Sequence, residues 1–448
     1  MVSGKEYAQL LDDLVFPKIF QTFRKILQTF RMSIQPTKLI IISVSLAVIC
    51  LAGWIMDFSK TVVARGDGFT ELQFYMANPG QLPKFIDKSK DLVDQRDGVF
   101  STMWHFSAKQ FHGAVDSVFA LDLPGLIGNI ADFFKAVGWA LRYHPVYCIF
   151  FFIIMLAVIS VSGGAVCRIA ALQFARGEKP GMAEALRFST NRFTNFFTAP
   201  LAPIGIIIFI GLFVFLLGLA GNIPRAGELI VGLGMPLALF AGALIAVIVI
   251  GTVAGLNLMF PAVAYDGSDC FDAISRSFSY VYARPWQMVI YTAVAAVYGS
   301  FCYAFIRIFA FLLLWITRWL LQIGLWANDS SQEVNKLAAI WPKPELRYLV
   351  RFSPPADANW TEWAAAFLVY LSLLVIVGLV VSFIISFYLS ANTIIYSLMR
   401  NKVDNTAFED IYMQFEEAEV EPTDAELLPR EESPLPESES KQDESSSQ

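Results

Sequence analysis

The side chains able to do chemistry are few and widely placed. His105 and His112 are seven residues apart, on one face of any helix there, with Asp116 one turn further on. Two imidazoles and a carboxylate can bind a metal, but metal-holding helices place their ligands closer together. This spacing therefore reads as a solvated or interfacial face, and no metal is expected. Asp266, Asp269 and Asp272 follow at three-residue steps, yet the alternate-position oxygens of a calcium loop are absent. Ser268 or Asp269 is placed to cap a helix instead. Gly251, Gly255, Asn257 and Pro261 carry the residue types of a broken helix that exposes backbone to a solute, and a helix leaving the membrane accounts for them as well. Ser382, Ser386 and Ser390, continued by Thr393 and Ser397, form a hydroxyl ladder along one helix face. There is no Ser-His-Asp order, no P-loop and no HExxH, so neither an enzyme nor a cofactor is expected.

The elements that must carry these residues are membrane helices. From Leu229 to Tyr265, and again from Trp363 to Met399, 37 residues pass without a charged side chain. As helices such runs are about 55 Å long, beyond a ~30 Å hydrocarbon core. With 56% hydrophobic and 16% charged residues, the chain has the composition of an all-α polytopic membrane protein. Six transmembrane helices are predicted near 39–56, 145–167, 199–221, 233–256, 286–306 and 364–386. The stretch 308–326 offers either a seventh crossing or a continuation of the fifth helix, and the lack of a turn favours the continuation. Arg307 and Arg318 lie 11 residues apart, about 20° around that helix, and are expected to snorkel to the interface.

Charge orders the rest. Residues 404–448 hold 15 Asp and Glu against Arg430 and Lys441, a net of −13, so the rest of a chain of net −6 carries +7. The 168–198 loop, the leader before the first span and the residues after the last span are basic. Six crossings put all three on one side, so both termini are expected in the cytoplasm. Nucleic-acid binding is not implied. The organisation is a cytoplasmic amphipathic leader (1–37), a first transmembrane helix (38–56), an extracytoplasmic insert (57–144), a helical membrane domain (145–403) with an outer loop at 323–362 and a last helix at 363–400, and a disordered acidic tail (404–448). The leader is expected on the inner face. An amphipathic helix carrying Leu126, Ile127, Ile130, Phe133, Phe134, Val137 and Leu141 is expected on the outer surface behind Asp122 and Pro124. The five cysteines suggest no disulfide framework, and the sequons at Asn328 and Asn359 read as chance.

A gapless shift of 88 residues aligns Arg168–Glu178 with Leu256–Asp266, and Glu184-Ala185-Leu186 with Asp272-Ala273-Ile274. This tandem parallel repeat spans units of about 145–221 and 233–309, and a shift of 226 gives a partial third copy at Ala391–Asp410. The segments GGAVCRIAALQFARGEKPGMAEALRFSTNRF (163–193) and FDAISRSFSYVYARPWQ (271–287) resemble a family of uncharacterised bacterial polytopic inner-membrane proteins. More distantly, they are similar to the membrane-domain superfamily associated with glycerophosphodiester phosphodiesterases and YciC-type proteins. The resemblance covers about 140–410. It implies a fold and a membrane address and carries no active site.

Two functions follow as expectations. One is a non-enzymatic scaffold or accessory subunit, with the bilayer, a membrane-protein partner or a second copy as neighbours and the acidic tail as bait for a basic cytoplasmic protein. The other is a transporter or channel for a small or lipidic solute. The small-residue positions Gly251 and Gly255, with Asn257, Ser382, Ser386 and Ser390, are either helix-packing or solute-contact sites.

Overall fold

The computed structural model describes residues 24–63, 70–88, 96–324, 336–346, 349–350 and 359–413. Leader residues 1–23, much of the outer loop with the Asn328 sequon, and the tail from 414 fall outside these. Residues from Tyr412 onward belong to a second unit.

The described chain is almost wholly helical. Six helices are long and apolar enough to cross a membrane: α2 (Pro36–Met56), α7 (Pro145–Ala175), α10 (Ala202–Ala220), α11 (Gly227–Asp266), α13 (Pro285–Gly324) and α15 (Trp360–Val403). The shorter ones are α1 (Thr29–Ser33), α3 (Glu71–Ala77), α4 (Leu82–Lys88), α5 (Val99–Phe119), α6 (Leu123–Tyr143), α8 (Met182–Asn191), α9 (Phe193–Thr198), α12 (Cys270–Ala283) and α14 (Lys336–Ile340). Two-residue strands, β1 (Val62–Val63) and β2 (Arg96–Asp97), pair antiparallel.

Proline starts four of the six long helices, and glycine stops α11. Pro36, Pro145, Pro203 and Pro285 stand in first turns, where a missing N–H costs nothing. Gly267, at φ 61°, ends α11 in a left-handed cap. The 308–326 stretch is, as expected, the continuation of one 40-residue helix, α13.

The packed core lies toward one end of the bundle. There α7 is buried from Ser162 to Leu172, α11 from Leu258 to Met259 and from Pro261 to Tyr265, and α15 from Ala391 to Arg400. Lys38, Arg168, Arg192, Arg276 and Arg400 all contribute to this end, called here the basic end. Toward the other end the spans show bare apolar faces, with Leu233, Leu237 and Val253 of α11 exposed by 73–84%. In water a surface of that size would drive aggregation, whereas hydrocarbon solvates it.

Three expectations change. First, the insert does not lie flat. Asp57, at the far end of α2, holds the start of α5. From there α5 runs between α13 and α15 toward the basic end, with Val115 packed among Tyr303, Ile306 and Ile384 and Phe119 edge-on to Phe301. The helix expected at 126–141 is α6, capped by Asp122 through Gly125 N–H (3.1 Å). It returns beside α5 as an antiparallel hairpin and leaves Ile127, Ile130 and Phe134 exposed. Polar residues on α5 gain partners from the bundle by this entry, which a surface position would not supply.

Second, one face of the described part of the leader is buried, while Leu27 stays half exposed. Ile26 is fully enclosed, Phe30 meets Phe305 and Phe383 edge-on, and the Tyr298 hydroxyl donates to the Leu27 carbonyl (3.0 Å). Thr29 and Ser33 bond back to the Ile26 and Thr29 carbonyls (2.6 and 2.7 Å), which hides their polarity within the helix. Third, both arginines of α13 find backbone partners within the protein. Arg318 is buried and donates to the Trp341 carbonyl, and Arg307 donates to the Leu346 carbonyl (2.9 Å).

Asp57 sets the position of the hairpin. Its carboxylate accepts the Phe100 and Ser101 N–H groups (2.9 and 2.8 Å), the Ser101 hydroxyl (2.7 Å) and the Tyr147 hydroxyl (3.0 Å). It thus caps α5 from outside that helix and complements its N-terminal dipole. Gly98 makes room for it, since a Cβ there would lie 1.9 Å from the Asp57 Cγ. Asp57→Ala and Gly98→Ala should each destabilise the fold by about 1–3 kcal/mol in thermal unfolding in mild detergent. The double variant should cost no more than Asp57→Ala alone, because the methyl added by Gly98→Ala then has space.

Candidate functional site

The small-residue positions separate into two groups. A Cβ on Gly251 would lie 3.0 Å from the Phe278 ring of α12, and one on Gly255 would lie 3.4 Å from the Ser277 Cβ. These glycines let α12 fold back against α11, which is helix packing and not solute contact. The serine ladder also faces inward. Ser382 accepts from the Ser43 hydroxyl (2.9 Å), Ser386 donates to the Ser33 carbonyl (2.9 Å), and Ser390 accepts from the Lys38 ammonium (3.3 Å). It clasps the N-terminal segment and α2, so it is not a face offered to another protein. Hydroxyls suit this contact because they satisfy polar groups while letting backbones approach.

Lys38 is an ionisable group at the very start of the first span. It stands in the first turn of α2, fully buried, with the Gln173 amide oxygen (3.1 Å) as its other acceptor. The sequence signal was there to read: a lysine two residues after Pro36, inside the first helical turn.

Asn257 belongs to a different environment. It lines an apolar cavity of about 310 Å³ with Ala295, Gly299, Phe387, Val118 and Leu126. The tip of the α5–α6 hairpin thus meets α11, α13 and α15 around one space. The Asn257 side-chain oxygen accepts from the Tyr388 hydroxyl. Pro261 has no N–H to give the Asn257 carbonyl four residues before it, so the main chain here is short of one bond. Nevertheless α11 runs unbroken through both Pro236 and Pro261.

On the far side of this cavity lies a more polar chamber of about 650 Å³, lined by His105, His112, Arg307, Tyr370 and Leu374. The two share Phe111, Tyr303 and Ile384 as a common wall. A neighbouring recess of about 320 Å³ adds Asp116 to His112 and Arg307. His112 bonds the Arg307 guanidinium (2.9 Å) and the Tyr303 hydroxyl (3.2 Å), and Arg307 also donates to the Tyr303 hydroxyl (2.6 Å). His112 therefore faces a cation, and no group of three metal-binding side chains forms among the described residues.

The basic end is held by a polar hub. The side chain of Asp266 is 6% exposed and pairs with Arg400 (3.0 Å) and Arg276 (3.2 Å), and it accepts from the Tyr396 hydroxyl. Arg400 reaches on to Asp410 (3.2 Å) and Arg276 to Asp272 (2.9 Å). Asp269 caps α12 through Asp272 N–H (2.8 Å), so the three aspartates divide between an ion-pair hub and a helix start. Burial acts to lower the Arg276 pKa, but the Asp272 hydrogen bond and the Asp266 charge prevail and raise it. Tyr280 is raised by burial and by its bond to Asp404, so its hydroxyl remains a donor there. Arg168 donates to the Ala264 carbonyl (3.0 Å) and Arg192 to the Gly267 carbonyl. Both satisfy the orphan carbonyls and the negative dipole end of α11. Their guanidinium groups lie 4.5 and 5.9 Å from the Phe188 ring centroid.

No known family model matches the chain, and no curated protein or solved structure does.

Removing one partner of a buried pair strands the other charge. Asp266→Asn and Arg400→Met should each lower stability by about 3–5 kcal/mol, with the double variant less destabilised than their sum. Detergent unfolding of the four proteins measures this, and additivity would show that the contact is not coupled.

Proposed function

We propose that the chain is a non-enzymatic scaffold or accessory subunit of an inner-membrane assembly, with both termini in the cytoplasm. The observation that carries this reading is the basic end. Helices α11 and α15, of 40 and 44 residues, are about 60–66 Å long and outrun a ~30 Å core. Their ends are not left as loose rods. Asp266, Arg276 and Arg400 join α11, α12 and α15, and Arg168 with Arg192 ties in the 168–192 segment. A rigid polar body of this kind is a suitable platform for a partner or a second copy.

Arg176, Lys179, Arg187 and Lys402 add to the positive charge at that end, which supports a cytoplasmic placement. The resemblance carried by 163–193 and 271–287 supports the same address. The acidic tail begins where α15 ends and gives the platform a means of attracting a basic cytoplasmic protein. A reporter fused after Met399 should be active only on the inside, and the protein purified from its own membranes should carry a stoichiometric partner or self-associate. An outside-only reporter, or a solitary monomer, would overturn the reading.

The cavity at Asn257 favours a second reading, a transporter or channel for a lipidic solute. Protein reconstituted in liposomes should then move a labelled lipid between leaflets, and Asn257→Ala should reduce the rate. Bare-liposome rates from the wild type would remove this alternative.

A further inference from the structure

The cavity and the recess beside it adjoin at Val115 and Tyr303, so an apolar part and a polar part stand next to each other. The lower part, around Ala295, Gly299, Phe387 and Val118, is almost wholly apolar. The upper part brings Arg307, His112 and Asp116 to one recess. Along α13, Thr292 in the lower wall and Arg307 in the upper are 15 residues apart, or about 22 Å of helix axis. That exceeds ~15 Å, the hydrocarbon depth of one leaflet.

An apolar slot of leaflet depth, topped by polar groups, matches an acyl chain joined to a headgroup. Water is a poor occupant of the lower part, where the polar partners it needs are scarce. The recess carries both signs, a guanidinium with an imidazole and a carboxylate. It therefore suits a headgroup that also carries both, since a purely anionic one would meet Asp116. Guanidinium binds phosphate, and a carboxylate binds a primary ammonium.

We infer that this space is a binding site for a zwitterionic aminophospholipid. One acyl chain lies along α13 between α11 and α15. The phosphate sits at Arg307 with His112 and Tyr303, and the headgroup amine sits at Asp116. The site goes beyond the scaffold reading, which does not require it. It also differs from the transport reading, because a resident lipid need not cross the membrane.

Native mass spectrometry of the full chain tests it. After delipidation, the protein is titrated with phosphatidylethanolamine, with phosphatidylglycerol of the same chains, and with water-soluble glycerophosphoethanolamine as competitor. Expected are one retained phosphatidylethanolamine per chain, about tenfold preferred over phosphatidylglycerol, and no displacement by the chainless competitor. Ala296→Trp, at the cavity wall, should abolish retention. Asp116→Asn, on the exposed side of α5, should keep binding but remove most of the preference for the amine. Circular dichroism melts confirm that both variants fold. Absence of a retained lipid, equal retention by a folded Ala296→Trp, an Asp116→Asn variant with unchanged preference, or displacement by the competitor would each overturn the assignment. Lipid binding without flux in liposomes would leave this site standing while removing the transport reading.

Discussion

Asp266 stands where three helices must be held together, and its burial makes that contact all-or-none. A carboxylate taken out of water is tolerated only when its oxygens are matched by cations and donors. Arg276, Arg400 and Tyr396 meet this need from α12 and α15, so the ends of α11, α12 and α15 share one geometry. The hub also explains why α11 ends where it does. Gly267 turns the chain, and Arg168 and Arg192 take the carbonyls that the turn leaves open. The basic end is thus held by ion pairs, whereas the far end is tied by the separate hydrogen bonds of Asp57, Arg307 and Arg318 and otherwise by apolar packing.

The same rule accounts for the N-terminal segment. Lys38 is an ammonium buried among α2, α7 and α15, and Gln173 and Ser390 take up its donors. Small hydroxyl residues then let α2 lie close to α15 through Ser43 and Ser382. In lipid, apolar surface does little to pull helices together, so these polar contacts select the neighbours. The serines of this ladder bond to partners within the chain.

The α5–α6 hairpin links this scaffold to the cavity. Asp57 and Gly98 aim α5 inward from the far end, and the hairpin tip closes a space that α11, α13 and α15 would leave open. Arg307 and His112 meet only because α5 passes beside α13. The chamber is therefore a product of the insert and the membrane helices together, and neither forms it alone.

Much of this was written locally in the chain. The apolar runs set the spans, Asp122 and Asp269 marked helix starts by the ordinary capping rule, and the lack of any turn between Pro285 and Gly324 made α13 continuous. Each of these is decided by neighbours within a few residues. Where amphipathic segments come to rest is decided otherwise. The leader around Ile26 and Phe30, and α5 with His112 and Asp116, have patterns that suit a membrane surface equally well, and periodicity specifies a face without naming what covers it. Only the assembled bundle supplied the Tyr298, Ser386, Tyr303 and Arg307 side chains that draw these segments inward. The amino-acid order alone determined the number of long apolar helices and their approximate places in the chain. Tertiary structure decided which polar groups became partners, because that choice depends on residues far apart in the chain, such as Ser33 and Ser386, 353 positions apart.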